Sequence, residues 1–435
     1  MTDRDQLSLT SRLLRDLGPE HGDGLRIGGV SAEEIAEQFG TPCYVYDAEL
    51  LRRRCAEVTR SLGVDVLFAI KANPCLAVGQ VLADAGAGAD VASAGEVHVA
   101  MRAGFAKEKI QFAGPGKTRA ELSLAVDRGV GTINLESASE YETLLRIVRE
   151  RKPESPPAVA IRINPTIGVA GARMRMGGGC SKFGVDVEDV TALARRIVDH
   201  GVVSLGGLHC YLGTQVFDAD AWLDSVRGLS DFASEVETSL GVKLDSLNLG
   251  GGFGVPCFEG DAEFDLDAAG DGLHALMDGD RRYFVELGRY LTAPSGVYLA
   301  RVEHIKESRG KRFAVLDGGM HHFGAATGIG AVIRRPFPIV SATAPFESGE
   351  PQVVCGPLCT PADEFASTAS LQRLAVGDLV AILAAGAYGL TFSPVLFLSH
   401  PTPAEVLVDA GKAHLVRQRG RAEDALRGQF LPGEA

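Results

Sequence analysis

Three groups of residues have types and spacing that could do chemistry. The first is Val64-Asp65-Val66-Leu67-Phe68-Ala69-Ile70-Lys71, six apolar positions of seven running straight into a lysine. Such a run reads as a buried strand, and a lysine is rarely buried without a partner or a task. At the carboxyl end of a strand, where α/β folds place their active sites, Lys71 is a candidate Schiff-base amine. The same side chain could instead lay its stem along the strand end and keep its ammonium in water, and the stretch alone leaves both readings open. The second group is Gly250-Gly251-Gly252-Phe253-Gly254. Glycines let backbone N–H groups approach phosphate oxygens, although a triplet by itself is as readily a plain turn. The third is Glu286-Leu287-Gly288-Arg289, an acid and a cation that standing alone would make a surface ion pair.

The elements that must position these residues recur along the chain. Apolar runs follow the lysine strand at Ala89 to Ala92, Ile110 to Ala113, Thr132 to Leu135, Ala158 to Ile163, Leu205 to Leu212, Leu244 to Leu249 and Tyr283 to Leu287. Between them lie helical patterns, such as Tyr141, Leu144, Leu145 and Val148, or Val190, Leu193, Ala194 and Ile197. Eight strands alternating with helices predict an α/β fold of the (β/α)8 barrel type. In such barrels the loops after strands seven and eight commonly cradle a phosphate, and those are the loops that hold the glycine triplet and Arg289. Short runs at Val297 to Ile305, Arg312 to Leu316, Gln352 to Val354, Leu379 to Leu383, Glu405 to Val408 and Ala413 to Val416 predict an all-β C-terminal domain. A strand around Tyr44, preceded by a short helix from Ser31 to Phe39 with Ser31 and Glu34 in capping-box position, is expected to complete it. The expected organisation is an N-terminal segment over 1–46 that packs with the β-domain, a barrel over 47–293, the β-domain over 294–418 and a tail over 419–435.

Composition narrows the function classes. The chain has 435 residues and a formal charge of −13, with a sequence pI of about 5.3, which argues against nucleic acid as a partner. Its eight cysteines show neither a C-x-x-C pair nor metal-type spacing, so reduced thiols are expected, with no metal and no disulfide frame. No run reaches membrane-spanning length and the first fifteen residues lack an apolar core, so the expectation is a cytoplasmic protein with no membrane partner.

A strand-end lysine, a phosphate cradle and an acid on the next strand together point to pyridoxal 5'-phosphate, whose aldehyde binds a lysine and whose pyridine nitrogen a carboxylate can keep protonated. Ordered motifs then carry a resemblance: Gly40-Thr41-Pro42-Cys43-Tyr44-Val45-Tyr46-Asp47, Phe68 to Asn73, Gly88 to Glu96, Arg162-Ile163-Asn164-Pro165 and Ser181-Lys182-Phe183-Gly184. They continue with Gly207 to Gln215, the glycine triplet, Glu286 to Arg289, Cys355-Gly356-Pro357-Leu358-Cys359 and Ala385-Gly386-Ala387-Tyr388-Gly389. Over roughly Gly40 to Gly411 the chain resembles the ornithine/diaminopimelate decarboxylases, pyridoxal enzymes with an alanine-racemase-type barrel and a β-domain.

That resemblance implies Lys71 as the cofactor lysine, Glu286 as the partner of the pyridine nitrogen, and Gly250, Gly251, Gly252, Gly288 and Arg289 as the phosphate site. It implies Tyr388 as a tyrosine closing over the phosphate, Thr214 as a cofactor contact, and Asp90 and Arg162 as residues lining the site; His209, two residues before Tyr211, is expected on the same face of its strand and so also at the cofactor. Cys359 would be the general acid that protonates the α-carbon after CO₂ is lost. Cys359 and Asp363 would come from the second subunit of a homodimer with shared active sites.

Departures from the family pattern bear on the substrate. Tyr211 stands where most relatives have a histidine stacked on the cofactor ring, a role that a tyrosine face can keep. Thr360-Pro361 follow Cys359 where relatives carry a glutamate or an aspartate, so the reader of a distal cation is missing. Asp317-Gly318-Gly319-Met320 leads into His321-His322-Phe323, and Arg334 and Arg335 are the available replacements for an arginine that reads a distal carboxylate. Thr360, Asp363, His321 and Arg335 are the expected substrate contacts. A site without charge partners binds a charged distal group poorly. The resemblance therefore implies decarboxylation of a modified or carrier-protein-linked amino acid in specialised biosynthesis, with ordinary diaminopimelate decarboxylation as the alternative. A non-catalytic binding relative is a third reading, opposed by intact Lys71, Glu286 and Cys359.

Overall fold

The computed structural model describes residues 7–18, 24–165, 179–211, 213–279, 281–329 and 335–433, and the backbone alone at 174–175. Its chain divides into two compact units. One is Arg52–Val255 with Ala262–Leu291, and the other is Met1–Leu51 with Pro256–Asp261 and Thr292–Ala435.

The first unit is the expected barrel. Its strands are β1 (Asp65–Ala69), β2 (Gly88–Val91), β3 (Ile110–Phe112), β4 (Thr132–Leu135), β5 (Ala158–Asn164), β6 (Leu205–His209), β7 (Ser246–Gly251) and β8 (Arg282–Leu287). Every neighbouring pair is parallel, and the ring closes because β8 pairs with β1, Glu286 lying opposite Leu67. Parallel strands buried on both faces need near-continuous apolar sequence, which is why they stood out as runs. The intervening helices cover the outside, and sharp capping sets where they start. Thr118 and Glu121 form a full capping box on the helix Arg119–Arg128, and Ser93 and Ser137 cap the helices Ala94–Ala103 and Ala138–Arg151.

One close approach explains a glycine inside a strand. A Cβ on Gly207 of β6 would lie 2.1 Å from the Ser246 carbonyl oxygen of β7, so only glycine lets these two strands pair at that point.

The second unit is mostly sheet. The strand Cys43–Asp47 lies in the middle, antiparallel to Gly296–Ser308 and parallel to Ala404–Asp409, which makes it the completing strand expected around Tyr44. Its Tyr44 is fully buried, stacks near Tyr46, and donates its hydroxyl to the His322 carbonyl oxygen at 2.7 Å. Among the strands that escaped the sequence reading, Ile339–Ser341 is only three residues long and follows Pro338, and Glu364–Ser370 carries a single large apolar residue, Phe365. The capping box of Ser31 and Glu34 is present on the helix Ala32–Phe39.

A second helix, Leu9–Leu17, sits in the stretch read as merely polar. Leu9, Leu13, Leu14 and Leu17 are buried along one face, an amphipathic spacing that average composition hides. The stretch read as a tail contains a 3-10 turn at Ala422–Leu426. Among the described residues all eight cysteines are free thiols, no group of side chains could hold a metal ion, and no helix is long and apolar enough to cross a membrane.

Candidate active site

Lys71 sits just past β1 in a 3-10 turn, Ile70–Ala72, whose flanking residues are buried. Its side chain is 44% exposed, and its Nζ lies 3.3 Å from Asp90 Oδ2 at the end of β2. The same ammonium is 5.6 Å from the centre of the Tyr211 ring, within reach of the ring face. Lysine, aspartate and tyrosine from three strand ends are thus brought together.

Beneath them the barrel interior is polar. Glu286 of β8 is 4% exposed, and His209 of β6 places Nε2 3.3 Å from Glu286 Oε1. Burial would raise the Glu286 carboxyl, but the attraction of His209, joined by Lys71 and Arg162, outweighs it and holds the group at about 2. Glu286 is therefore ionised. Asp90 moves the other way: burial, then the negative charge of Glu286, push it up to about 7 against the pull of Lys71. Two carboxyls in one interior are driven apart, as the sharing of charge in a desolvated site requires.

Sequence reasoning missed two residues of this interior. Asn248 of β7 donates its amide N–H groups to Glu286 Oε1 at 2.7 Å and to Gln111 Oε1 of β3 at 2.8 Å, and its Oδ1 accepts the Gly250 N–H at 3.0 Å. The available signal was a lone polar residue inside an apolar strand, Ile110-Gln111-Phe112 and Leu247-Asn248-Leu249. A third, Glu136, follows β4. It accepts from Arg162 Nη1 of β5, from Gly114 N and from Gly184 N, each at 2.8 Å, so one carboxylate anchors Arg162 and two loops. Lys182, the neighbouring lysine of the Ser181–Gly184 motif, places its Nζ 5.1 Å from the centre of the Phe183 ring.

The glycine triplet has a second physical cause besides a phosphate. A Cβ at Gly250 would meet the Cys210 carbonyl oxygen at 2.4 Å, one at Gly251 the Glu286 carbonyl oxygen at 2.0 Å, and one at Gly252 the Gly213 carbonyl oxygen at 2.0 Å. Gly250 and Gly252 also have positive φ. The N–H of Gly250, expected to face a phosphate, is spent on Asn248. Thr214 lies opposite, in the short strand Gly213–Thr214, and Arg289 opens the short helix that follows β8 after Gly288.

The remaining expected site residues belong to the sheet unit. Cys359 is exposed, and Thr360 accepts the Ala362 and Asp363 N–H groups in a tight turn. Tyr388 holds a left-handed backbone, φ 52°, which is costly for a bulky side chain and marks a constrained position. Three of the expected substrate contacts have intrachain surroundings that can be named. Asp363 is buried, and its carboxylate accepts the Met320 and Leu358 N–H groups at 2.6 and 2.8 Å, so it shapes the loop next to Cys359. Arg335 is held by Asp261 Oδ1 at 3.1 Å and by the Glu259 carbonyl oxygen at 2.6 Å, stacked over Phe258. His321 is fully buried beside the rings of His322 and His400, and burial followed by those neighbours pushes it down to about 3, so it is neutral. Arg334 and Leu212 lie outside the described residues.

The barrel residues fit pyridoxal 5'-phosphate. An amine at the end of β1, an ionised acid on the neighbouring strand β8, and a glycine turn with an arginine following β8 are the kinds of group that could partner the aldehyde, the ring nitrogen and the phosphate. Buried polar atoms without a hydrogen-bond partner, Asp90 Oδ1, His209 Nδ1 and the amide of Asn134, belong to the same barrel strands.

Residues 48–293 match the family model described as pyridoxal-dependent decarboxylase, pyridoxal binding domain. The chain is 35% identical over 409 residues to an L-glutamyl-[BtrI acyl-carrier protein] decarboxylase of Niallia circulans, with 91% of this chain and 95% of that protein covered. It is 34% identical over 412 residues to a diaminopimelate decarboxylase of Zymomonas mobilis, covering 93% and 96%. Among solved structures, a diaminopimelate decarboxylase of M. jannaschii in complex with L-lysine superposes with a TM-score of 0.86 at 28% identity, covering 95% and 98%.

The raised Asp90 yields a prediction. Its folded-state pKa lies above the unfolded value, so this group favours folding at low pH, and that stability is lost as pH rises through about 7. Asp90→Asn should therefore melt at a higher temperature than the unaltered protein on the alkaline side, without added cofactor, and the gap should close towards about pH 4. Thermal melts across that range check it; a variant less stable at alkaline pH would contradict the buried-acid account.

Proposed function

We propose that this chain, which belongs to the pyridoxal-dependent decarboxylases, removes the α-carboxylate of an amino acid whose distal end carries no free charge, as an amide, an ester or a carrier-protein thioester. The observation that carries the reading is one barrel holding an amine after β1 and an ionised acid on β8. When bound, pyridoxal 5'-phosphate supplies the electron sink that makes loss of CO₂ from an amino acid possible.

The chain's residues supply the rest. Lys71 would hold the aldehyde carbon, and the adjacent Asp90 keeps that amine oriented at the strand end. Glu286, ionised and desolvated, would hold the proton on the pyridine nitrogen, and a buried charge does this more strongly than one in water. His209 and Arg162 keep that acid charged, and Arg162 is itself fixed by Glu136. Tyr211 would cover one ring face. Gly251, Gly252, Gly288 and Arg289 would surround the phosphate, with Thr214 beside them, and Tyr388 is the tyrosine proposed to contact it. Cys359 would deliver the proton to the α-carbon as general acid. We place Cys359 and Lys71 of one site on different subunits of a homodimer.

The substrate class rests on the pair of residues next to Cys359. Thr360 and Pro361 offer no charge to a distal amine, and Arg335 is already paired with Asp261. The relative from Niallia circulans, named for a carrier-linked glutamyl substrate, supports a masked distal end. Diaminopimelate is the second reading, favoured by the 34% identity to the Zymomonas enzyme.

Two experiments test these assignments. Mixing inactive Lys71→Ala with inactive Cys359→Ala protein should restore part of the activity through hybrid dimers, and no recovery after verified subunit exchange would place each site within one chain. In a competition assay read by CO₂ release, free diaminopimelate, ornithine and lysine should lose to amide- or thioester-masked analogues. Burying an unpartnered distal charge costs on the order of 3 to 5 kcal/mol, hundreds-fold in kcat/KM. Thr360→Glu should shift preference towards a free distal amine. If diaminopimelate wins by about an order of magnitude, roughly 1.4 kcal/mol, the neutral pocket is refuted.

A further inference from the structure

The three hydrogen bonds of Asn248 fix which way its amide points. Only the oxygen can accept from the Gly250 N–H, so the nitrogen must face Glu286 and Gln111, whose Oε1 atoms lie at 2.7 and 2.8 Å. The side chain is 2% exposed, and both of its polar atoms are used. It therefore touches the acid on β8, the peptide of Gly250 at the end of β7, and a glutamine reaching across from β3.

We infer that Asn248 is a positioning residue, oriented by Gln111, that holds Glu286 in place as a hydrogen-bonded anion and sets the glycine loop in register with it. An N–H donated to a carboxylate favours its charged form and is stronger than a neutral hydrogen bond. The other bond consumes the Gly250 N–H, so the first glycine is fixed to the strand and the turn begins one peptide later. One side chain then makes the acid and the phosphate loop move together, and the distance between them is a property of β7 and not of the loop. This rests on the reading of Glu286 as partner of the ring nitrogen.

The charged and titratable groups that face Glu286 are His209 from β6, Arg162 from β5, and Lys71 and Asp90 from the ends of β1 and β2. None of them is substituted in the Asn248 variants. The test titrates cofactor retention by the holoenzyme towards low pH, read by the absorbance of bound cofactor after gel filtration, with the melting temperature recorded for each variant. Asn248→Leu removes all three bonds and should weaken retention about tenfold or more near neutral pH, with the acid-side midpoint moved to higher pH.

Asn248→Asp keeps an acceptor for Gly250 but sets a second carboxyl against Glu286. Its midpoint should rise by about one unit or more while retention on the alkaline side stays near that of the unaltered protein. Gln111→Leu, which only releases the amide's second N–H, should shift the midpoint in the same direction by less. A midpoint in Asn248→Asp equal to that of the unaltered protein overturns the inference, also where Asn248→Leu fails to fold. Glu286→Gln is run alongside: if it moves the midpoint and the Asn248 variants do not, the inference fails and the role of Glu286 stands. If Glu286→Gln moves nothing, the role of Glu286 itself is refuted.

Discussion

A carboxylate that stays charged while almost completely removed from water is the constraint on which the barrel interior depends. Stripping such a group of solvent costs several kcal/mol even after relaxation, so an ionised Glu286 exists only if its surroundings return that energy. His209, Asn248, Lys71 and Arg162 do so from four different strands or strand ends. The same field explains why Asp90, equally buried but next to Glu286, rises to about 7. Of these two carboxyls, one holds its negative charge and the other gives way.

Closing eight parallel strands into a ring is what makes this possible. Residues that pair across the ladder, Arg162 with His209 and His209 with Asn248, fall at one level of the barrel, so groups separated by dozens of residues share a layer. The backbone approach is tight enough that glycine is obligatory at Gly207 and Gly251, where a neighbouring carbonyl oxygen occupies the place of a Cβ. Glu136 ties the top of the same ring, joining the loops at Gly114 and Gly184 to Arg162. The positions of the reactive groups are set by backbone ladders and buried polar bonds, both stiffer than any surface loop.

Much of this was legible in the residues. The barrel strands announced themselves as apolar runs because both faces are buried, and Lys71 and Glu286 stood out as charges at the ends of such runs. The parts that escaped did so for physical reasons. Asn248 and Gln111 are short polar interruptions in apolar strands, and a sequence does not say which polar residues meet across a ring. The glycine triplet was read as a phosphate cradle or a plain turn, and a sequence does not show that each glycine is also demanded by the close approach of a neighbouring carbonyl oxygen. Asp363 was expected from the family resemblance and Arg335 from its place before Pro336; what neither source reveals is that their carboxylate and guanidinium are also engaged within the chain, by Met320, Leu358 and Asp261. The strand Glu364–Ser370 alternates small and polar residues and carries too little apolar signal to be seen. The helix Leu9–Leu17 was hidden by averaging over a charged stretch.

The central claim is that Lys71, at the end of the strand that pairs with the strand of Glu286, is the lysine that carries the cofactor. Reducing the protein with borohydride in the presence of pyridoxal 5'-phosphate, digesting it and mapping the modified peptide by mass tests this most directly. The account predicts a single pyridoxyl-lysine at Lys71, lost in Lys71→Ala with no other lysine taking its place. Modification at Lys182, or a reducible lysine that persists in Lys71→Ala, would contradict it.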